Sequence, residues 1–215
     1  MKSDNMKKSE IIVLGIILLS FIIGIYFYPL FPNQVASHWN ALGQVDGYMS
    51  KFWGLFLMPL ISVGLFLFFI LIPKIDPLKK NIKKFRKYFD GFVILIILVL
   101  FYLYLLTIMW NIGIVFNIIQ FLVPVFSLLF YYCGILTENA KRNWFIGIRT
   151  PWTMSSEKVW NRTHKLGGKL FKISAVITLL GIIFQGYAIF FVIVPVLFVA
   201  IYAFVYSYFE YQKRR

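Results

Sequence analysis

Apolar residues fall in six long runs, at about 11–28, 52–72, 91–110, 114–136, 171–186 and 187–209, separated by polar and basic stretches. At a rise of ~1.5 Å per residue, most of these runs match a hydrocarbon core ~30 Å thick, while the fifth is short and draws on its flanking residues. The pattern predicts an all-α membrane protein with six transmembrane helices in three hairpins. The first hairpin spans 11–72 and contains a long polar connection at 29–51; the second, 91–136, and the third, 171–209, close through tight turns. Between hairpins lie a basic connector, 73–90, and a longer segment, 137–170. The whole chain, 1–215, reads as one integral membrane domain.

Charge orients the pattern. Lys and Arg number 22 against 8 Asp and Glu, a formal charge of +14. All but Lys51 stand at the ends that six alternating spans place on one face. The positive-inside rule then makes both termini cytoplasmic, in a multi-pass protein of the plasma membrane, and puts 29–51 outside. This sidedness, with anionic headgroups as counterparts, accounts for the basic excess without nucleic acid, for which no recognised motif is present. The N-terminal run has lysines ahead of it, but Tyr26-Phe27-Tyr28-Pro29 is too bulky for a cleavage site, so it is expected to stay as a signal anchor. Cys133 is the sole cysteine and lies in a span, which excludes an intrachain disulfide and a Cys-rich metal site.

No span carries an Asp, Glu, Lys, Arg or His in its interior, which argues against a proton- or sodium-coupled transporter. Asn117, Gln120, Thr107, Thr178 and Ser62 are left to hydrogen-bond between helices. Pro59, Pro124 and Pro195 each sit mid-span in the second helix of a hairpin, where Pro removes a backbone hydrogen bond.

Two loops carry information. In 29–51, Asn40 to Gly43 and Asp46-Gly47 are turn chemistry, so the loop is expected to be compact. His38, Trp39, Asn40, Asp46 and Tyr48 are its candidate ligand-facing residues; His38 and Asp46 read first as partners in loop hydrogen bonds and second as ligand contacts. One His and one Asp do not make a metal site. In 137–170, the Thr150-Pro151 step ends any helix, and Thr153 or Ser155 is expected to cap a new one with Glu157 in its first turn. Val159, Trp160, Thr163, Leu166 and Leu170 then recur at helical spacing opposite Lys158, Arg162, Lys165 and Lys169, predicting an interfacial amphipathic helix before the fifth span. Asn143, Gly147, Arg149, Thr150, Pro151, Trp152, Glu157 and Trp160 are candidate contacts for a partner or for lipid. Arg149 can clamp a phosphate, a carbonyl or a carboxylate such as Glu157 or Glu138. His164, with no nearby partner in the sequence, reads as a surface residue.

Both loops resemble signatures of a known family, the SdpI immunity proteins, which protect bacteria from a secreted sporulation-delaying toxin. Phe31-Pro32 through His38-Trp39-Asn40, Gly43 and Asp46-Gly47-Tyr48 is similar to the family's N-terminal module of unknown function. Asn143-Trp144-Phe145-Ile146-Gly147-Ile148-Arg149-Thr150-Pro151-Trp152-Thr153, with Glu157 and Trp160, resembles the C-terminal motif. The resemblance implies a non-enzymatic, cofactor-free immunity protein whose external loop meets the toxin. It also implies a cytoplasmic motif that faces a transcriptional repressor held at the membrane, as in the family's best-studied system. The alternative class is a permease or exporter of an apolar peptide or lipid. An enzyme is disfavoured because the few His, Asp and Glu residues are split across the membrane and assemble no catalytic set.

Overall fold

The computed structural model describes residues 7–213, so Lys2, Arg214 and Arg215 of the terminal basic groups lie outside it. Among the described residues, six helices are long and apolar enough to cross a bilayer. They are α1 (Lys8–Phe27), α2 (Lys51–Ile75), α4 (Arg86–Asn111), α5 (Ile118–Asn139), α7 (Glu157–Ile183) and α8 (Ala188–Gln212). Short α3 (Lys79–Lys84) and α6 (Pro151–Ser155) lie between them. Only 22–33% of each apolar window is buried. Ile22, Val176 and Ile201 are each at least 63% exposed. Apolar surface on that scale calls for lipid as its solvent. The expected six-helix membrane fold is therefore present.

The chain groups into two compact units, one formed by residues up to Phe69 with Val93–Ile118, the other by Ile70–Phe92 with Ile119 onward. In the first, α1 starts where the Lys7 backbone N–H donates to Glu10 at 3.1 Å, an acid set against the positive helix end. Its core joins Phe31, Val35, Leu55, Tyr104 and Ile108. A Cβ at Gly24 would stand 3.0 Å from both Phe56 and Tyr104, so glycine is what lets these rings approach α1. The connection at 29–51 departs from pure helix: β1 (Gln34–Trp39) and β2 (Val45–Ser50) pair as an antiparallel hairpin with a register shift between Ala36 and His38. It is an addition to the all-α expectation, and it explains why the loop is compact.

In the second unit, α5, α7 and α8 approach through small residues. A Cβ on Gly134 would fall 2.6 Å from the Gly168 carbonyl, and one on Gly181 would fall 3.2 Å from Ala188. Ser127 donates to the Ala175 carbonyl at 2.7 Å, and Lys172 pairs with Glu138 at 2.6 Å. Pro195 has no N–H for the carbonyl of Phe191, four residues back. Thr178 of α7 supplies the missing donor, its hydroxyl lying 3.1 Å from that carbonyl and 2.9 Å from its own Ser174 carbonyl. Thr178 thus bonds between helices as expected, whereas Thr107 and Ser62 donate within their own helices, to Leu103 and Met58. The amphipathic segment and the fifth span are not separate elements, since α7 runs unbroken through both.

Candidate functional site

The hairpin turns on Asn40. Its side-chain carbonyl accepts from the Leu42 and Gln44 N–H groups at 2.9 and 3.0 Å, and its amide donates to Gln44 at 3.1 Å. Gly43 completes the turn at φ +79°, a conformation favouring glycine. Asn111, the last residue of α4, acts as a side-chain strand partner for β1. Its Oδ1 accepts from the Ala36 N–H at 2.8 Å and its Nδ2 donates to the Ala36 carbonyl at 3.0 Å. His38 Nδ1 and Asp46 Oδ1 face each other across the strands at 2.5 Å, both exposed. The loop-bonding reading of that pair is thus realised. Trp39 packs edge-on to Trp110, whereas Tyr48 is 66% exposed. Of the five candidates, Asn40 and Trp39 build the hairpin, and His38, Asp46 and Tyr48 present groups to the surroundings.

The segment after α5 is a loop held by its own polar groups and by side chains that reach it from the end of α2, from α3, α7 and α8. Asn143 is fully buried. Its Nδ2 donates to the Lys141 and Ile146 carbonyls at 2.8 and 2.9 Å, and its Oδ1 accepts from the Phe145 and Ile146 N–H groups at 2.9 and 2.6 Å. Every lone pair and proton of that amide serves the loop. Asp76, just past α2 and also buried, accepts from Leu78 N–H at 2.6 Å and Trp144 N–H at 2.8 Å. Asn81 of α3 donates to the Arg142 carbonyl at 2.8 Å.

Trp160 and His164 form the floor. Trp160 donates its indole N–H to the Ala140 carbonyl at 2.8 Å and stacks on His164 with ring centroids 3.8 Å apart. His164 Nε2 accepts from the Ile148 N–H at 3.0 Å, so Nδ1 carries the proton and donates it to the Trp160 carbonyl at 2.8 Å. The ring is neutral, with both nitrogens committed. His164 is therefore a buried strut, in place of the surface residue expected. Its only sequence signal was helical spacing, which sets it on the face of Val159, Trp160 and Thr163. Gly147 passes directly over it at φ +111°, and a Cβ there would strike His164 Nε2.

Caps close the loop. Thr150 caps α6, with Pro151 in the first helical position, and Ser156 caps α7; both caps differ from the expected Thr153 and Ser155. Thr153 instead receives the Thr150 N–H at 2.9 Å and donates to the Ile148 carbonyl at 2.8 Å. Thr150 reaches Ser207 of α8 at 2.9 Å, and Trp152 lies edge-on to Phe204 and Tyr208. Arg162 pairs with the buried Glu210. Arg149 clamps the Trp144 carbonyl; of the acids considered for it, Glu138 is taken by Lys172. Arg149, Pro151 and Glu157 are exposed.

The helices and loops just described correspond to known segments. Residues 139–207, from the end of α5 into α8, match the SdpI/YfhL protein family. Residues 15–63, covering the hairpin and its flanking helices, match a domain of unknown function, DUF1648. The chain carries both family segments. It is also 27% identical to the Immunity protein SdpI of Bacillus subtilis (strain 168) over 207 residues, 96% of this chain and 97% of that one. No solved structure matches. The resemblance drawn from the two loops is thus confirmed. What sequence reasoning missed in the SdpI/YfhL segment and its supports is the set of long-range partners: Asp76, Asn81, His164 and Ser207.

His164 has neither a lone pair nor a proton in reserve, and among the described residues no group of three or more His, Cys, Asp or Glu is placed to hold a metal ion.

Proposed function

We propose that this chain is a non-enzymatic immunity protein of the plasma membrane that confers resistance to a secreted antibacterial peptide toxin. The observation that carries the reading is the end-to-end match to an immunity protein, 96% of one chain against 97% of the other, across both family segments. In this reading both termini are cytoplasmic, as the one-sided basic residues require, and the β-hairpin lies outside. His38, Asp46 and Tyr48 form its toxin-facing surface, with Trp39 and Asn40 holding their geometry. The loop at 140–156 lies inside, where Arg149, Pro151 and Glu157 remain available to a repressor protein held at the membrane.

The test is survival of a toxin-sensitive bacterium expressing the chain and challenged with the sporulation-delaying peptide. Wild type is expected to protect, and a combined Asp46→Asn, Tyr48→Ala variant that inserts normally is expected to lose protection. Absence of protection by wild type at normal membrane levels overturns the reading. Orientation is checked separately by an Asp46→Cys variant in a Cys133→Ser background. Labelling by a membrane-impermeant maleimide in intact cells is expected, and labelling only after permeabilisation reverses the topology.

A further inference from the structure

Helices α7 and α8 leave a groove of about 260 Å³ between Phe171 on one and Val199, Ala200 and Phe204 on the other. Its polar lining is confined to the consecutive pair Arg149 and Thr150. The Thr150 hydroxyl is already used by Ser207 and by the α6 cap. Arg149 is not used up. It is exposed, and of its five N–H donors the only one engaged among the described residues bonds the Trp144 carbonyl. Among the described residues no acid pairs with it; Glu138 and Glu210 are held by Lys172 and Arg162. The surrounding stretch 141–172 contains eight Lys and Arg and one acid, Glu157. An apolar groove on a membrane helix pair, with an uncompensated guanidinium in its wall, fits an amphiphile with an acyl chain and an anionic head. The planar guanidinium fork matches phosphate oxygens better than a lysine point charge would.

We propose that this groove binds one anionic phospholipid, an acyl chain lying between Phe171 and the Ala200–Phe204 face of α8 and the phosphate held by Arg149. The site shares Arg149 with the repressor-facing rim proposed above but has no residue in common with the toxin-facing hairpin, so lipid binding and resistance to the toxin can each fail without the other.

The test is native mass spectrometry of the full chain, released from mild detergent. It is titrated with phosphatidylglycerol, with phosphatidylcholine of the same acyl chains, and with glycerol phosphate as the headgroup alone. Wild type is expected to retain one phosphatidylglycerol at about tenfold lower concentration than phosphatidylcholine, whose phosphate is already offset by its own quaternary ammonium and so gains less from the guanidinium. Arg149→Gln is expected to bind the two lipids alike. Ala200→Trp fills the groove from an exposed position of α8 and leaves Arg149 intact, so it is expected to abolish retention of either lipid even if Arg149→Gln proves unfolded. Glycerol phosphate is expected not to displace the lipid. Equal binding of the two lipids by wild type, an undiminished preference in folded Arg149→Gln, wild-type retention by Ala200→Trp, or displacement by glycerol phosphate at equal concentration each overturns the proposal.

Discussion

Replacing Thr178 by Val isolates one hydrogen bond between α7 and α8. The two side chains have nearly the same shape and both are β-branched, so packing and helix propensity change little. What is lost is the hydroxyl, fully buried and shared between the Ser174 and Phe191 carbonyls. Ser174 keeps its backbone bond from the amide of residue 178, four positions on, whereas Phe191 loses its donor because Pro195 has no N–H. Interhelical hydrogen bonds in membrane proteins average ~0.6 kcal/mol and reach ~1.7 kcal/mol. A carbonyl orphaned in an apolar setting belongs at the upper end, so Thr178→Val is expected to cost about 1–2 kcal/mol. Pro195→Ala restores the backbone donor to Phe191, and in that background Thr178→Val should cost almost nothing. The double-mutant cycle cancels the other effects of removing the proline and leaves a coupling of about 1 kcal/mol. The assay is reversible unfolding of the full chain in mixed micelles with rising sodium dodecyl sulfate. Equal costs of Thr178→Val in both backgrounds would refute the claim that Thr178 serves the carbonyl freed by Pro195.

Asn143→Ala removes four hydrogen bonds at a fully buried amide and is expected to cost about 2–4 kcal/mol in the same assay. Asn143→Asp keeps the acceptor for Phe145 and Ile146 but sets a carboxylate oxygen against two carbonyls, so it should rescue little; wild-type stability in either variant contradicts the loop geometry. Asn111→Ala unpairs both backbone groups of Ala36 and should lower hydrogen-exchange protection of β1 by a free energy of about 1–3 kcal/mol while leaving α1 unchanged. Unchanged protection at residues 34–39 would remove Asn111 from the hairpin. Gly147→Ala adds a Cβ at φ +111° against His164 and should destabilise by at least ~1 kcal/mol; a neutral outcome would mean that the loop does not cross the imidazole as described.

The spans were legible because lipid imposes one requirement on every residue of a run, and that requirement is local. Turn residues were legible for the same reason: Asn40 and Gly43 act within five positions of one another. The strands were not, because β1 buries Val35 and Ala36 in succession and then shifts register, which erases the period of two that marks a strand. His164 was misread because its acceptor role depends on Ile148, sixteen residues away, arriving through a loop that only Asn143 and Gly147 make feasible. Asp76 was silent for a similar reason. It lies 68 residues from the Trp144 amide it holds, and nothing near it in the chain announces that pairing.

The motif that marks the family is spent mostly on itself. Asn143 is saturated by its own loop, Trp160 by Ala140 and His164, and Thr150 by Thr153 and Ser207. Substituting any of them will disturb the loop whether or not a partner touches it, so loss of activity there cannot locate a contact surface. The informative positions are those the fold leaves exposed, namely Trp144, Arg149, Pro151 and Glu157. Trp144 separates two cases cleanly, because Asp76 and Arg149 hold its backbone N–H and carbonyl while its side chain is 53% exposed. Trp144→Ala is therefore expected to leave stability within ~0.5 kcal/mol of wild type. If protection survives Trp144→Ala but signalling to a repressor is lost, the exposed rim of the loop is a contact surface. If Trp144→Ala destabilises the chain as much as Asn143→Ala does, the indole is part of the scaffold, and the face left to a partner narrows to Arg149, Pro151 and Glu157.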